Sequence, residues 1–324
     1  MAPIVRTVLG DVEASSLGIT NAHEHLAITG GLIVMQHPDY RLNDTKRAIE
    51  EVLDFSSAGG RTIVEATPCG IGRDPNALLE ISQKTGVHVI AATGVHRESY
   101  YLDTHWRFHY EVDEIVALWQ AEIEQGMELS GYEGPMVRRS SARAGIIKIG
   151  TDYQNIASAT RKAAEAAAAV HHLTGAPILT HSEQGTMMLE QIEMFDSFGV
   201  RPEHIIISHA DRNPDWFVHR DVAQTGSFMQ YDCMGRIKYF PESTIVELLR
   251  KMFDLSVGSQ ILLGGDNARR SYWKSYGGNP GMSYILRSFL PRLKREGFSD
   301  EQIERLSTHN AGKAFTFAAM QSAH

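Results

Sequence analysis

The sequence predicts an α/β barrel built from eight βα units. Three observations predict it: eight short apolar runs alternate with helical segments, residues of metal-binding type close several of those runs, and no Pro- or Ser-rich linker divides the 324 residues. Alternation of this kind marks parallel βα units rather than segregated layers. The strand-like runs lie near 19–25, 62–65, 87–93, 145–148, 178–181, 205–209, 227–231 and 261–265. Eight such strands close most naturally into a (β/α)8 or TIM barrel spanning 1–324 as one domain, with its site at the C-terminal ends of the strands. An open doubly wound sheet is the alternative, but it concentrates its site at one switch point. Here the metal-type residues come from the first, fourth, fifth, sixth and eighth strands.

The intervening helices carry physical start and stop signals. Asp44 stands ahead of Ile49, Val52 and Leu53 at helical spacing, where a carboxylate can accept from the free amides of a first turn, and Gly59-Gly60 ends the segment. Asp74-Pro75 joins a capping carboxylate to a proline at the first helical position, predicting a helix to Lys84. Ser243 ahead of Thr244-Ile245-Val246-Glu247, and Ser299 with Gln302, have the capping-box pattern. The alanine-rich run 163–169 reads as an ordinary helix ending at Gly175, because alanine is the best helix former.

Composition excludes several function classes. A formal net charge of −8 argues against nonspecific nucleic-acid binding, which needs a basic footprint to displace counterions. Two cysteines, Cys69 and Cys233, cannot form a disulfide framework and fit a reducing compartment, so the cytoplasm is expected. The start, Met1-Ala2-Pro3-Ile4-Val5-Arg6-Thr7, lacks the basic and apolar segments of a secretory signal. No apolar run approaches the roughly 18 residues that span a bilayer.

The chemistry lies in the strand ends. In Asn21-Ala22-His23-Glu24-His25 the two histidines are two apart, so an extended segment projects both from one face and can hold one ion between them. His181 closes 176–180, His209 closes 205–208 and Asp266 closes 261–265. Lys148 lies within Ala144-Gly145-Ile146-Ile147-Lys148-Ile149-Gly150, where a strand buried on both faces should carry no free ammonium. Carboxylation of its amine by carbon dioxide would give a carbamate able to bridge two divalent ions.

On these residues the chain resembles, over nearly its whole length, the phosphotriesterase family of the amidohydrolase superfamily, including its lactonase members. The resemblance implies a binuclear-metal hydrolase in which His23, His25 and Asp266 hold one ion, His181 and His209 hold a second, and carbamylated Lys148 joins both. It further implies a metal-bridging hydroxide as nucleophile, with Asp266 taking its proton and returning it to the leaving oxygen. Imidazole and carboxylate suit zinc, and the same set accepts manganese, iron, cobalt or nickel.

Other residues divide between chemistry and structure. Glu24 points to the face opposite the two histidines and is expected to bond a neighbouring element. Cys69 and Cys233 follow strands, but without an evident partner base they read as buried small hydrophobes. His96, Arg97, Tyr100 and Tyr101 follow the third strand, where they either face substrate or pack the loop on its own barrel or on a second subunit of a homodimer.

The loops after the seventh and eighth strands concentrate cations: Arg236, Lys238, Arg269 and Arg270. Such barrel loops often bind phosphate, and guanidinium and ammonium both suit it. An anionic substrate follows, against the alternative of salt bridges along the rim. Within the family this chemistry looks like that of members hydrolysing phosphorylated sugar lactones, with Lys238 and Arg269 as the matching phosphate ligands and Arg270 or Arg236 as substitutes. The expectation is a lactonase. A phosphotriesterase or phosphodiesterase is the enzyme alternative, and a noncatalytic metal-binding regulatory protein the alternative from another class. A deaminase would have no need of the lysine.

Overall fold

The structure, a computed structural model, describes residues 3–319. It opens with an antiparallel hairpin of β1 (Ile4–Thr7) and β2 (Gly10–Glu13), which the sequence reading did not anticipate. Eight parallel strands follow: β3 (Thr20–Glu24), β4 (Thr62–Glu65), β5 (His88–Gly94), β6 (Ile146–Thr151), β7 (Ile178–Ser182), β8 (Ile205–Ser208), β9 (Phe228–Tyr231) and β10 (Ile261–Leu263). Each pairs with the next in chain order. The amides of Gly265 and Asp266 both donate to the His23 carbonyl, at 3.0 and 2.8 Å, and so join the end of β10 to β3. This seam closes a barrel and removes the open-sheet alternative.

The strand pleat explains how the barrel is filled and where the site lies. Ala22, Val64, Ile90, Ile146, Leu179, Ile206, Phe228 and Leu262, one residue from each barrel strand, form a single buried cluster with Val5 of the hairpin, Leu17 and Phe315. Side chains two apart on a strand share a face, so Lys148 stands above Ile146, and His181 above Leu179, on the inside. The intervening residues, among them Ile63, Val89, Ile147 and Ile207, pack outward in a second cluster with Val52, Leu78, Ile115, Val170, Phe195, Val222 and Leu249 of the surrounding helices. β6 continues to Thr151, so Lys148 is an interior strand residue rather than a terminal one, a correction to the sequence reading. Gly94, at φ 95°, passes so close to the Lys148 carbonyl that any Cβ there would collide with it.

The helices follow their caps. The Asp44 carboxylate accepts from the amides of Lys46 and Arg47 and starts the helix Thr45–Ser57. Asp74 accepts from Asn76 and Ala77 ahead of Pro75–Thr85. Ser299 and Gln302 form the reciprocal box, and the alanine-rich helix Ser158–Thr174 ends at Gly175 in the left-handed region. Ser243 does not cap. Its helix is Glu242–Asp254, with Pro241 in the capping position, which leaves Ser243 inside the first turn. No helix among the described residues is long and apolar enough to cross a membrane.

Candidate active site

The metal-type residues named from the sequence converge at the C-terminal mouth of the barrel. His23, His25, His181, His209 and Asp266 line one cavity. His23, His25 and Asp266 place one donor atom each within 4.8 Å of one another, and the rings of His181 and His209 lie 4.5 Å apart, that of His209 4.8 Å from His23. Beneath them Lys148 is buried, its Nζ donating to Ser208 Oγ at 3.4 Å. His209 (φ 63°) and Asp266 (φ 46°) adopt left-handed backbone, which non-glycine residues seldom do without compensation. The register fixes both: His209 is held by the Asp232 carboxylate at its amide and Asp266 by the His23 carbonyl at the seam.

The imidazoles are prepared for ligation one nitrogen at a time. His23 Nδ1 meets Gln230 Oε1 at 2.7 Å, His25 Nδ1 meets Thr67 Oγ1 at 2.8 Å and His209 Nδ1 meets the Asp232 carboxylate at 2.8 Å, leaving each Nε2 for the cavity. His181 is reversed: Nε2 meets Glu183 at 2.8 Å, and its buried Nδ1 has no partner. Outer hydrogen bonds of this kind set the tautomer and orientation of metal-binding histidines. Burial, reinforced by neighbouring cations, holds His23 and His209 well below the usual imidazole range, and burial lowers His181 to about 4, so all three rings are neutral donors at pH 7. Burial also lowers Lys148 to about 7, against the opposing pull of Asp266 and Asp232, so the amine carries a free lone pair in a large share of molecules. This donor set fits divalent metal.

Asp266 is buried but charged. Its Oδ2 accepts from Arg212 and from Arg236, each at 2.8 Å, while Oδ1 faces His25 Nε2 at 3.4 Å. Burial raises its carboxyl, but Arg236, the His25 contact and the other nearby cations outweigh it and hold the group well below the carboxylate range.

The predicted substrate residues separate. Lys238 and Arg269 line the cavity, as do His96, Arg97 and Tyr100, with His96 stacked on Tyr100 at 4.0 Å. Arg236 also lines it, but with its guanidinium committed to Asp266 and Asp232. Arg270 is outside the cavity lining: its guanidinium bonds the Arg41 carbonyl and Asn43, which corrects its assignment to substrate. Tyr101 is turned into structure, its hydroxyl bonding the His96 amide and the Cys69 carbonyl. Glu24 is buried and accepts from Asn21 and from both nitrogens of Asn267, as its facing predicted. Cys69 donates to Glu122, and burial pushes its thiol up to about 12, which unfits it as a nucleophile. Cys233 is buried too. The sequence reading missed Arg212, Glu183, Tyr40 and Tyr239, all of which line the cavity.

A closed parallel barrel with four imidazoles, an amine and a carboxylate at its mouth defines a metal-dependent hydrolase. The model of the phosphotriesterase family matches residues 3–315, and the chain belongs to that family of binuclear metal hydrolases. Among its relatives, a phospho-furanose lactonase of Mycoplasmopsis agalactiae is 38% identical over 322 residues, covering 97% of this chain and 91% of the relative. The crystal structure of an amidohydrolase from Mycoplasma synoviae superposes with a TM-score of 0.96 at 37% identity, covering 98% of this chain and 93% of that one. A lactonase from Listeria monocytogenes gives 0.90 at 32% identity, covering 98% and 100%.

Proposed function

We propose that this protein is a binuclear-metal lactonase that opens a phosphorylated five- or six-carbon sugar lactone. His23, His25 and Asp266 would hold one ion, His181 and His209 the other, and Lys148, carboxylated at Nζ with loss of one proton, would serve both. Zinc suits these donors, and manganese, cobalt, iron or nickel would also be accepted. When bound, the pair supplies a Lewis acid for the ring carbonyl and activates water at neutral pH. Asp266 carries the proton to the ring oxygen as it leaves. His96 and Tyr100 form the wall against which the ring is oriented.

The observation that carries the substrate is Lys238. It lines the cavity, and among the described residues no carboxylate lies within ion-pair distance of its ammonium. Arg212 and Arg236 are neutralised by Asp266 and Asp232, and Arg97 by Glu183 and Asp152. Among the described residues the one carboxylate within ion-pair distance of Arg269 is Asp39, at 3.9 Å. Two under-compensated cations at the mouth suit a dianion and offer nothing to a neutral triester. The names of the lactonase relatives support the same reading.

The remaining parts of the reading follow the chain's surface and thiols. Free buried Cys69 and Cys233 suit the cytoplasm. Exposed Leu102, Met136 and Val137, all on the β5–β6 connection, offer apolar surface for a homodimer. The acidic net charge suits neither nucleic acid nor an anionic membrane as partner.

The test compares metal-loaded wild type with Lys238→Ala and Arg269→Ala on a phosphorylated lactone and on the same ring without phosphate. Hydrogen bonds to charged groups contribute roughly 1.5–3 kcal/mol, so each variant should lose about ten- to a hundred-fold in kcat/KM for the phosphorylated ring. Equal losses on both substrates would end the phosphate assignment.

A further inference from the structure

Among the described residues no carboxylate holds the Lys238 side chain, and its neighbour Ile237 is 85% exposed, so the tip of this loop is fixed by little else. A lysine with four free torsions at such a tip ordinarily extends into water. Instead its Nζ lies 4.6 Å from the centre of the Tyr239 ring. The same ring receives the guanidinium of Arg212 at 5.0 Å and that of Arg236 at 5.7 Å. Tyr272 is a second surface, farther from Lys238 at 5.9 Å and as near to Arg236 at 5.7 Å. Three cations thus share one aromatic ring, two of them already neutralised by the acids below.

We infer that Tyr239 is a specificity-determining positioning residue, whose ring face holds the Lys238 ammonium over the cavity and so prepares the site for an anionic substrate group. This rests on the lactonase reading above. The ring face is negative and attracts a cation within about 6 Å of its centre. Attraction of the exposed ammonium to the ring would shorten the list of positions that Lys238 samples, so less freedom is lost when the anion arrives. All three cations lie within 6 Å of the ring centre, where attraction of each to the ring offsets their mutual repulsion. Among the described residues the Tyr239 hydroxyl makes no hydrogen bond, and its contact with Lys238 is through the ring.

The experiment measures the ratio of kcat/KM for a phosphorylated sugar lactone to that for its unphosphorylated counterpart, in metal-loaded protein. A cation–π contact to an exposed cation corresponds to about a two- to fivefold effect. Tyr239→Leu should lower the ratio by that amount, mainly through KM of the phosphorylated substrate, and Tyr239→Phe should restore it. In a Lys238→Ala background, Tyr239→Leu should change the ratio by less than about twofold, because its effect passes through that ammonium. Phenylalanines of increasing fluorination at position 239 keep the shape while draining the ring face, and serve if Tyr239→Leu fails to fold; the ratio should fall stepwise along the series. A flat fluorination series, additive double variants, or a Tyr239→Phe loss as large as that of Leu would overturn the inference while leaving the phosphate preference of the wild type intact. A wild type with no such preference would overturn the phosphate assignment, and this inference with it.

Discussion

The Arg236 guanidinium donates to Asp266 Oδ2 at 2.8 Å and to the Asp266 carbonyl at 3.0 Å, so a candidate metal ligand is fixed through both its side chain and its backbone. Arg236 also lies 3.7 Å from the Asp232 carboxylate, which in turn holds His209. One buried arginine therefore ties together ligands of both proposed ions.

Breaking a buried ion pair by removing one partner costs several kcal/mol, because the other charge stays buried. Arg212 still reaches Asp266, so Arg236→Met should cost about 3 kcal/mol, the low end of that range, in metal-free protein. Added metal should recover part of it by neutralising Asp266 in place of the guanidinium. Denaturant unfolding with and without metal measures both effects, and an identical loss in the two conditions would separate Arg236 from the ligand set.

Asp266→Asn keeps a side chain that can still approach a metal but cannot carry a proton. At full metal loading kcat should fall by about 10²–10⁴ with KM little changed. Retention of nearly full turnover would remove the proton-transfer role and leave ligation as its only part.

Acid should destabilise the fold through buried histidines that are not candidate metal ligands. His219 is buried, with Nδ1 at 2.5 Å from Tyr231 Oη and Nε2 at 2.7 Å from the Asn213 carbonyl, and burial lowers its pKa to about 4. Burial does the same to His171. The unfolded chain protonates both near pH 6.5, while the folded rings stay neutral to about 4. Stability is therefore full above about 6.5, falls as pH drops from there to 4, and levels off below, by about 3 kcal/mol for each ring at most. His219→Gln should flatten the pH dependence of unfolding in that window by about one proton; an unchanged slope would refute the assignment.

Local signals were legible in the sequence where the physics is local. Eight strands, four helix caps or stops and the facing of Glu24 follow from periodicities and side-chain reach within a few residues. The Ser243 cap failed by two positions, because proline at 241 takes the capping place and the sequence pattern does not register that shift. Ser299→Ala should cost about 1 kcal/mol, while Ser243→Ala should cost a few tenths at most, and thermal unfolding of the two variants distinguishes a real cap from a pattern.

What remained hidden depends on contacts across the barrel. Tyr40 meets Arg269 from 229 residues away, with ring and guanidinium 4.2 Å apart, and Arg270 is drawn off to Asn43 on the same strap. Arg212 follows His209 by three residues, but its role is set by Asp266, 54 residues further along and beyond the reach of any local pattern. The hairpin of β1 and β2 was missed because two four-residue strands with interspersed charges carry little apolar signal; Val5 is buried in the barrel floor and Val12 packs against it. Lys148 was legible for the reverse reason: an ionisable residue in an otherwise apolar strand is conspicuous.

The most direct test of the account is the metal content of the purified chain together with the state of Lys148. The account predicts about two divalent ions per chain, with density continuing from Lys148 Nζ into a carboxylate between them, and loss of both metal and activity in Lys148→Ala with partial recovery by a short added carboxylate. A fully loaded chain holding a single ion, with an unmodified Lys148 still directed at Ser208, would contradict it.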